Sequence, residues 1–249
     1  MKIAVLQKYN SKVESLADIA TTNKLWYAER NQYEFVNDTT DYILEQGRSD
    51  TWLIELSILN VIKTRPDIDW IFWTDIDSLI MNYEVKLEDL ISQASDEENI
   101  IACMWSFIQQ YTYSDLSAPT IKIENKPSQW FFLHTGNFLV RNCEWSYEFL
   151  SRLYNDQRFI IQPELRDHII GDEMGITTYY LGYPEVRKHI KILSNQIFLS
   201  IPVLGNFKST TVKIFEKGDF IFHVPVQPLE VKEAQLSKYI PLCEKSCHA

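Results

Sequence analysis

The chain has 249 residues, 45% hydrophobic and 23% charged, enough to bury a sizeable core in one domain or two closely fused ones. Its formal net charge of −10 argues against a nucleic-acid partner, because a phosphate backbone selects a basic face. An anionic nucleotide stays compatible with that charge if a metal ion bridges the two.

In chain order, KIAVL (Lys2–Leu6) reads as a short buried strand, and its apolar run is too short for a signal peptide or a membrane span. No other stretch approaches a spanning helix. A soluble, cytoplasmic protein is therefore expected if this is the whole natural product; the soluble part of a membrane-anchored parent would read the same. Leu16, Ile19, Ala20 and Leu25 have near-helical spacing and predict a helix from Val13 to Arg30. YEFV (Tyr33–Val36) is a second strand. Ser49 and Asp50 are candidate caps for a helix through Trp52, Leu56, Leu59 and Ile62 that stops before Pro66. WIFWTD (Trp70–Asp75) is a third strand, apolar on both faces as an inner strand of a parallel sheet should be.

This alternation predicts an α/β fold with a doubly wound sheet. KLEDLISQA then reads as a helix and IIACMW as a strand. Gln109–Gln129 is polar and punctuated by Pro, so a long loop is expected there. FFLHTGNFLV reads as one strand around Gly136, EWSYEFLSRLYND as an amphipathic helix, and DEMGITTYYLGYP as a helix ending near Gly182 and Pro184. DFIFHV is a short strand, and a last helix falls near Glu230–Tyr239. The aromatic content of 13% suits a core and also flat, part-polar surfaces that hold sugars or bases. The four Cys are too few and scattered for a disulfide framework, and the tail CEKSCHA is a weak metal-ligand pattern.

The chemistry concentrates at Asp75, Ile76 and Asp77, just past the third strand. Ligands of open α/β sheets bind at the carboxyl ends of strands. Two carboxylates one residue apart there can share one divalent cation through oxygen ligands. Without a cation they would repel, and one would have to protonate. The bland alternative is a solvated loop, but the flanking WIFW and SLIMN make that less economical. A phosphatase of the haloacid-dehalogenase type also places D-x-D after an apolar strand. It does so after the first strand and needs a later acid pair that GDEMGIT does not supply.

Several blocks together resemble glycosyltransferase family 34, whose members have a GT-A fold: Asn23–Val36, Asp67–Asn82, HTGNFLVRNCEWSYEFL (His134–Leu150), Asp172–Leu181, and a final His223, in family order across nearly the whole chain. The resemblance implies a single GT-A domain over residues 1–249, with a mixed, mostly parallel sheet flanked by helices. Residues 1–103 would be the nucleotide-sugar-binding half and 104–249 the acceptor-side half. It implies retaining transfer of a hexose or pentose from a UDP- or GDP-linked donor to a glycan or other hydroxyl acceptor. It implies Mn²⁺ or Mg²⁺ on Asp75, Asp77 and His223; an imidazole ligand suits Mn²⁺ better. The donor would contact the strand end from Gln7 through Lys8 and Tyr9 to Asn10, together with Tyr27, Asp75, Ile76, His134, Gly136 and Asn137. His134, Gly136 and Asn137 are expected on one strand, with Gly136 allowing close approach of the sugar. Glu173 or Asp172 would face the far side of the sugar, either as nucleophile or by electrostatics; N-capping of the helix is the structural alternative.

Three positions depart from the family. Trp52 is followed by Leu53 and Ile54 where Lys is usual, His223 is followed by VPVQP where Gly and Cys are usual, and Glu173 replaces Gln. The first two departures also allow a degenerate transferase that binds a nucleotide sugar without turning it over.

Overall fold

Alternate residues of the first and third strands feed two different cores, and this two-sided burial organises the molecule. The computed structural model describes residues 1–108, 129–160, 171–193, 197–202, 213–225 and 227–247. Strands β1 (Ile3–Lys8), β2 (Glu34–Asp38) and β3 (Trp70–Thr74) run parallel with β1 in the middle. Ile3, Val5, Trp70 and Phe72 enter one core with Tyr27 and Ala28 of helix α1 (Ala17–Asn31). Ala4, Leu6, Ile71 and Trp73 enter the other. There they meet Trp52, Ile58 of α2 (Leu53–Thr64), Phe149 of α4 (Glu144–Asn155) and Ile176 of α5 (Gly171–Gly182). A period of two that is apolar on both faces needs helices on both faces, and the chain supplies them.

The remaining elements are β4 (Ser78–Ile80), α3 (Leu87–Ile91), β5 (Ile100–Ile108), β6 (Gln129–Leu133), β7 (Asn137–Arg141), α6 (Pro184–Arg187), β8 (Ile190–Leu193), β9 (Ile221–His223) and α7 (Leu229–Cys247). The main sheet has the order β2-β1-β3-β7-β5-β6, with β8 also paired to β5. β7 lies antiparallel between β3 and β5, so the sheet is mixed. The inner part of β5, Ile100–Cys103, pairs in parallel with β8. The outer part, Met104–Ile108, pairs with β6. β4 and β9 form a separate antiparallel ladder that puts Ser78 opposite His223. A third core, with Leu16, Leu79, Phe222, Val224, Leu236 and Cys243, fastens α7 to this ladder.

Several expectations need correction. FFLHTGNFLV is not one strand. β6 pairs with β5, and His134 still donates its N–H to Cys103 O at 2.9 Å. The chain then crosses to pair with β3 as β7. His134 and Gly136 therefore sit in the crossing, and of the three only Asn137 is on a strand. The helix expected over 13–30 is also broken. Ser11–Leu16 is a 3-10 segment in which Val13 is non-helical (φ −125°, ψ 19°), capped by Asn10 accepting from Lys12 N. α1 ends where Gln32 turns left-handed (φ 59°) and gives its N–H to Ala28 O and Glu29 O. The last helix runs to Cys247, past Pro241. The loop expected at Gln109–Gln129 lies, apart from Gln129, outside the described residues, as does the end of the Cys-containing tail. Cys243 is buried, with its Sγ 3.2 Å from Met81 Sδ. Among the described residues, no helix is long and apolar enough to cross a membrane.

Candidate active site

β3 delivers Asp75 and Asp77 to the carboxyl edge of the parallel strands. Asp75 N–H donates to Gly136 O at 2.8 Å, which extends the β3–β7 ladder by one rung. Ser78 N–H donates to Asp75 O at 3.0 Å and closes a tight turn. Asp77 O accepts from Val224 N–H, which ties the turn to the end of β9.

Two consecutive, fully buried residues of α1 hold this turn from both ends. Lys24 Nζ donates to Thr74 O at 3.3 Å and Asp75 O at 2.5 Å. Burial pushes the Lys24 ammonium down to about 7. Asn23 donates to Ile80 O at 2.9 Å and accepts from Ile80 N–H at 2.8 Å, as a neighbouring strand would. Tyr83 OH donates to Asn23 O at 2.7 Å.

Asp75, Asp77 and His223 bring ligand atoms within 4.8 Å of one another, the one such group of metal-binding side chains among the described residues. His223 Nε2 is 3.1 Å from Asp77 Oδ1 and 3.8 Å from Asp75 Oδ2. Trp73 Nε1 donates to Asp75 Oδ1 at 2.8 Å. Lys232, in the first turns of α7, donates to Asp77 Oδ2 at 2.5 Å. Burial and then the charge of Asp77 raise Asp75 well above the usual carboxylate range. Burial also pushes Asp77 up, but His223 and Lys232 outweigh it and hold that group low. Burial lowers His223, leaving the neutral imidazole that a metal ligand requires. The set fits a divalent cation: two carboxylates whose charges oppose each other, plus one neutral nitrogen, converging on one point.

Gly136 is where this convergence is tightest. A Cβ there would lie 2.7 Å from His223 Cε1, 2.8 Å from His134 Cε1 and 2.9 Å from Asp75 Oδ2. The residue is thus glycine to make room for two imidazoles and a carboxylate, a stronger demand than close approach of a sugar. Asn137 Nδ2 donates to Ser78 Oγ at 3.0 Å and lies 3.4 Å from His134 Nε2. Burial takes His134 down to about 3, and its ring is 5.0 Å from that of His223. His134 Nδ1 and Thr135 N each come within 3.5 Å of Glu173 Oε1.

Asp172 and Glu173 occupy the first turn of α5 and are buried. Burial, then Glu173, raises Asp172 to about 7. Burial raises Glu173 to about 8, against the pull of Thr135 N–H. At neutral pH Glu173 is thus chiefly a carboxylic acid, close in shape and hydrogen bonding to an amide.

The other expected donor contacts separate into two groups. A cavity of about 550 Å³ opens at the ends of β1 and β2, lined in part by Lys8, Tyr9, Asn10, Asp38, Thr40 and Tyr42. Gln7 lies beneath it, fully buried, donating to Thr21 Oγ1 and Asn37 Oδ1. Tyr27 lies elsewhere. It is wholly inside the first core, packed on Tyr33, Tyr83 and Phe220, with its hydroxyl donating to Val85 O, so its place is a packing one. Ile76 packs into the third core beside Leu79 and Phe222. Sequence reasoning missed Lys232 and the roles of Asn23 and Lys24. The last two do stand inside the block NKLWYAERNQYEFV, and their polarity within a buried helix face is the signal that could have exposed them.

A model of the galactosyl transferase GMA12/MNN10 family matches residues 2–225. The chain belongs to that family. The resemblance to glycosyltransferase family 34 is thereby borne out, and the phosphatase reading falls away. An uncharacterized alpha-1,2-galactosyltransferase of Schizosaccharomyces pombe is 24% identical over 84% of this chain and 57% of its own length. Xyloglucan 6-xylosyltransferase 4 of Arabidopsis thaliana is 28% identical over 89% of this chain and 37% of its own. The chain thus spans little more than half, or less, of these curated relatives. Among solved structures, a glycosyltransferase involved in glycosylation of the major capsid of PBCV-1 superposes with a TM-score of 0.62. It is 13% identical, covering 96% of this chain and 100% of that one. The galactosyltransferase LgtC, solved with donor and acceptor sugar analogs, gives 0.52 at 11% identity over 97% and 95%. These likenesses establish the GT-A fold.

Two outcomes follow. Gly136→Ala should displace His223 or Asp75 and weaken Mn²⁺ binding at least tenfold, measured by Mn²⁺ titration of the folded variant; unchanged affinity would show that the crossing tolerates a methyl group. The second concerns pH. An acid whose folded pKa is raised keeps its proton while the unfolded chain loses it, so stability falls as pH rises from about 4.5 to about 8. Each unit of separation is worth about 1.4 kcal/mol. In chelator, Glu173→Gln should therefore be more stable than wild type near pH 8, with the difference gone near pH 4.5 in denaturant melts. Parallel stability curves would show that Glu173 ionises normally.

Proposed function

We propose that this family member is a metal-dependent, retaining glycosyltransferase. It moves a hexose or pentose from a UDP- or GDP-linked sugar to a glycan or other hydroxyl acceptor. The observation that carries the proposal is the convergence of Asp75, Asp77 and His223 just past the carboxyl end of β3; a separate cavity of about 550 Å³ opens at the ends of the neighbouring strands β1 and β2. Support also comes from relatives named galactosyltransferase and xylosyltransferase. In this reading residues 1–103 carry most of the donor site, and residues 104–249 carry the acceptor side with the sugar-facing acids. The domain works either alone in the cytoplasm or as the catalytic part of a longer, membrane-anchored protein.

Asp75, Asp77 and His223 would hold Mn²⁺ or Mg²⁺. A cation bound there supplies Lewis-acid stabilisation of the charge that grows on the leaving diphosphate. The chain's own residues do the rest. Lys8, Tyr9 and Asn10 line the place for the base and ribose. His134 and Asn137, both buried, lie on either side of Gly136 and brace the wall between the metal-binding group and Glu173. Glu173, protonated near neutral pH, is poorly suited to act as a nucleophile. It positions the sugar and, with the N-terminal turn of α5, steadies the transition state by hydrogen bonding and dipole. Attack then comes from the face the leaving group vacates, which retains configuration.

The test is a panel of UDP- and GDP-sugars assayed for Mn²⁺-dependent hydrolysis and then transfer. Asp75→Ala or Asp77→Ala should abolish activity in a folded protein; full activity in either would remove that residue from the metal site. Tight binding of a nucleotide sugar with no turnover under any condition would favour the degenerate reading. Glu173→Gln should keep measurable, retaining transfer, and Glu173→Ala should be far slower. A glycosyl adduct trapped on Glu173, with an inactive Gln variant, would establish double displacement instead.

A further inference from the structure

Three of the four oxygens of Asp75 and Asp77 already have hydrogen-bond partners from the chain: Trp73 Nε1 on Asp75 Oδ1, His223 Nε2 on Asp77 Oδ1, and Lys232 Nζ on Asp77 Oδ2. The first two are compatible with a bound cation. An indole N–H leaves the other Asp75 oxygen available, and a neutral imidazole can turn from hydrogen-bond partner to ligand. Lys232 is different, because an ammonium has three donors and nothing with which to coordinate. It sits where Asp77 would offer its second oxygen.

We infer that Lys232 is a built-in counter-cation that withholds Asp77 from a divalent ion until an anion draws the ammonium away, so that metal and diphosphate bind together. The inference rests on the proposed metal site and says how that site is regulated. Lys232 is not a loosely held surface charge. Its side chain is 17% exposed and that of Asp77 10%, so the pair is largely shielded from solvent and salt. α7 fixes its origin, because Leu236 and Cys243 of the same helix are buried in the third core beside Phe222 and Leu79. The long methylene stem still lets the ammonium swing while the helix stays in place.

Charge accounting gives the direction. Two carboxylates, the Lys232 ammonium and a dication leave one positive charge in excess within a few ångströms, and Lys24 beneath the same turn adds to that excess whenever it is protonated. A dication alone must therefore displace the ammonium or sit beside it. A diphosphate supplies the missing negative charge and a new partner for Lys232. By linkage, an anion that raises the affinity for metal is itself bound tighter by the same factor when metal is present.

The experiment measures Mn²⁺ binding by the electron paramagnetic resonance of free Mn²⁺. It compares wild type, Lys232→Met and Lys232→Arg, first without nucleotide and then with UDP, correcting for the Mn–UDP complex in solution. Circular dichroism checks each fold. Lys232→Met should bind Mn²⁺ alone at least tenfold tighter than wild type and gain much less from UDP. Lys232→Arg, which keeps the charge, should behave like wild type. Affinity of the Met variant for Mn²⁺ alone that is unchanged or weaker overturns the inference while leaving the metal site standing. Absence of Mn²⁺ binding to all three proteins, with or without UDP, sinks the metal site and this inference with it.

Discussion

Two like charges one residue apart at the end of an apolar strand are the constraint to which the rest of the site answers. Left alone, Asp75 and Asp77 would oppose each other in a medium that screens poorly. The fold surrounds them with groups that make the arrangement tolerable: the Trp73 indole, the His223 ring, the Lys232 ammonium and, beneath, the Lys24 ammonium on the backbone of the same turn. Each partner comes from a different part of the chain. The turn is therefore also where β3, β9, α7 and α1 are brought to a common point.

That convergence dictates local geometry nearby. β7 must pass close enough for Gly136 O to accept from Asp75 N–H, which leaves no room for a side chain at Gly136. The crossing that makes this possible also carries His134 and Thr135 to Glu173 at the start of α5. The acids at the start of α5 and the acids that follow β3 are thus linked through the three-residue crossing His134–Gly136. The raised pKa values of Asp172 and Glu173 have the same origin as that of Asp75: carboxyl groups placed away from water with too few cations. Glu173 in place of an amide is chemically mild when the carboxyl keeps its proton.

The sequence made some of this legible and hid the rest for physical reasons. β1, β2, β3 and α2 could be read because burial on one or both faces leaves a periodic pattern. Asp75 and Asp77 could be read because they interrupt such a pattern. β4 has only three residues, too few to show a period, and the break between β6 and β7 is concealed because apolar residues continue on both sides of His134–Gly136. His223 stood out only through family resemblance; one His between Phe222 and Val224 looks like any strand residue. Lys232 looks like an ordinary charge on an amphipathic helix, because what makes it special is a partner 155 positions away. Tyr27 illustrates the reverse error, a residue within a recognisable block whose job is packing.

The position of β7 also limits how the protein can be divided. It is later in sequence than β5 yet lies between β3 and β5 in the sheet, and β8, later still, covers another stretch of β5. A fragment ending near residue 103 would keep β1, β2 and β3 but bare the β3 edge and both edges of the truncated β5. Such edges are ready templates for pairing with other chains. The first 103 residues are therefore not a detachable module. On a ribosome they would have to wait, with sticky edges uncovered, until some forty further residues had emerged to supply β7.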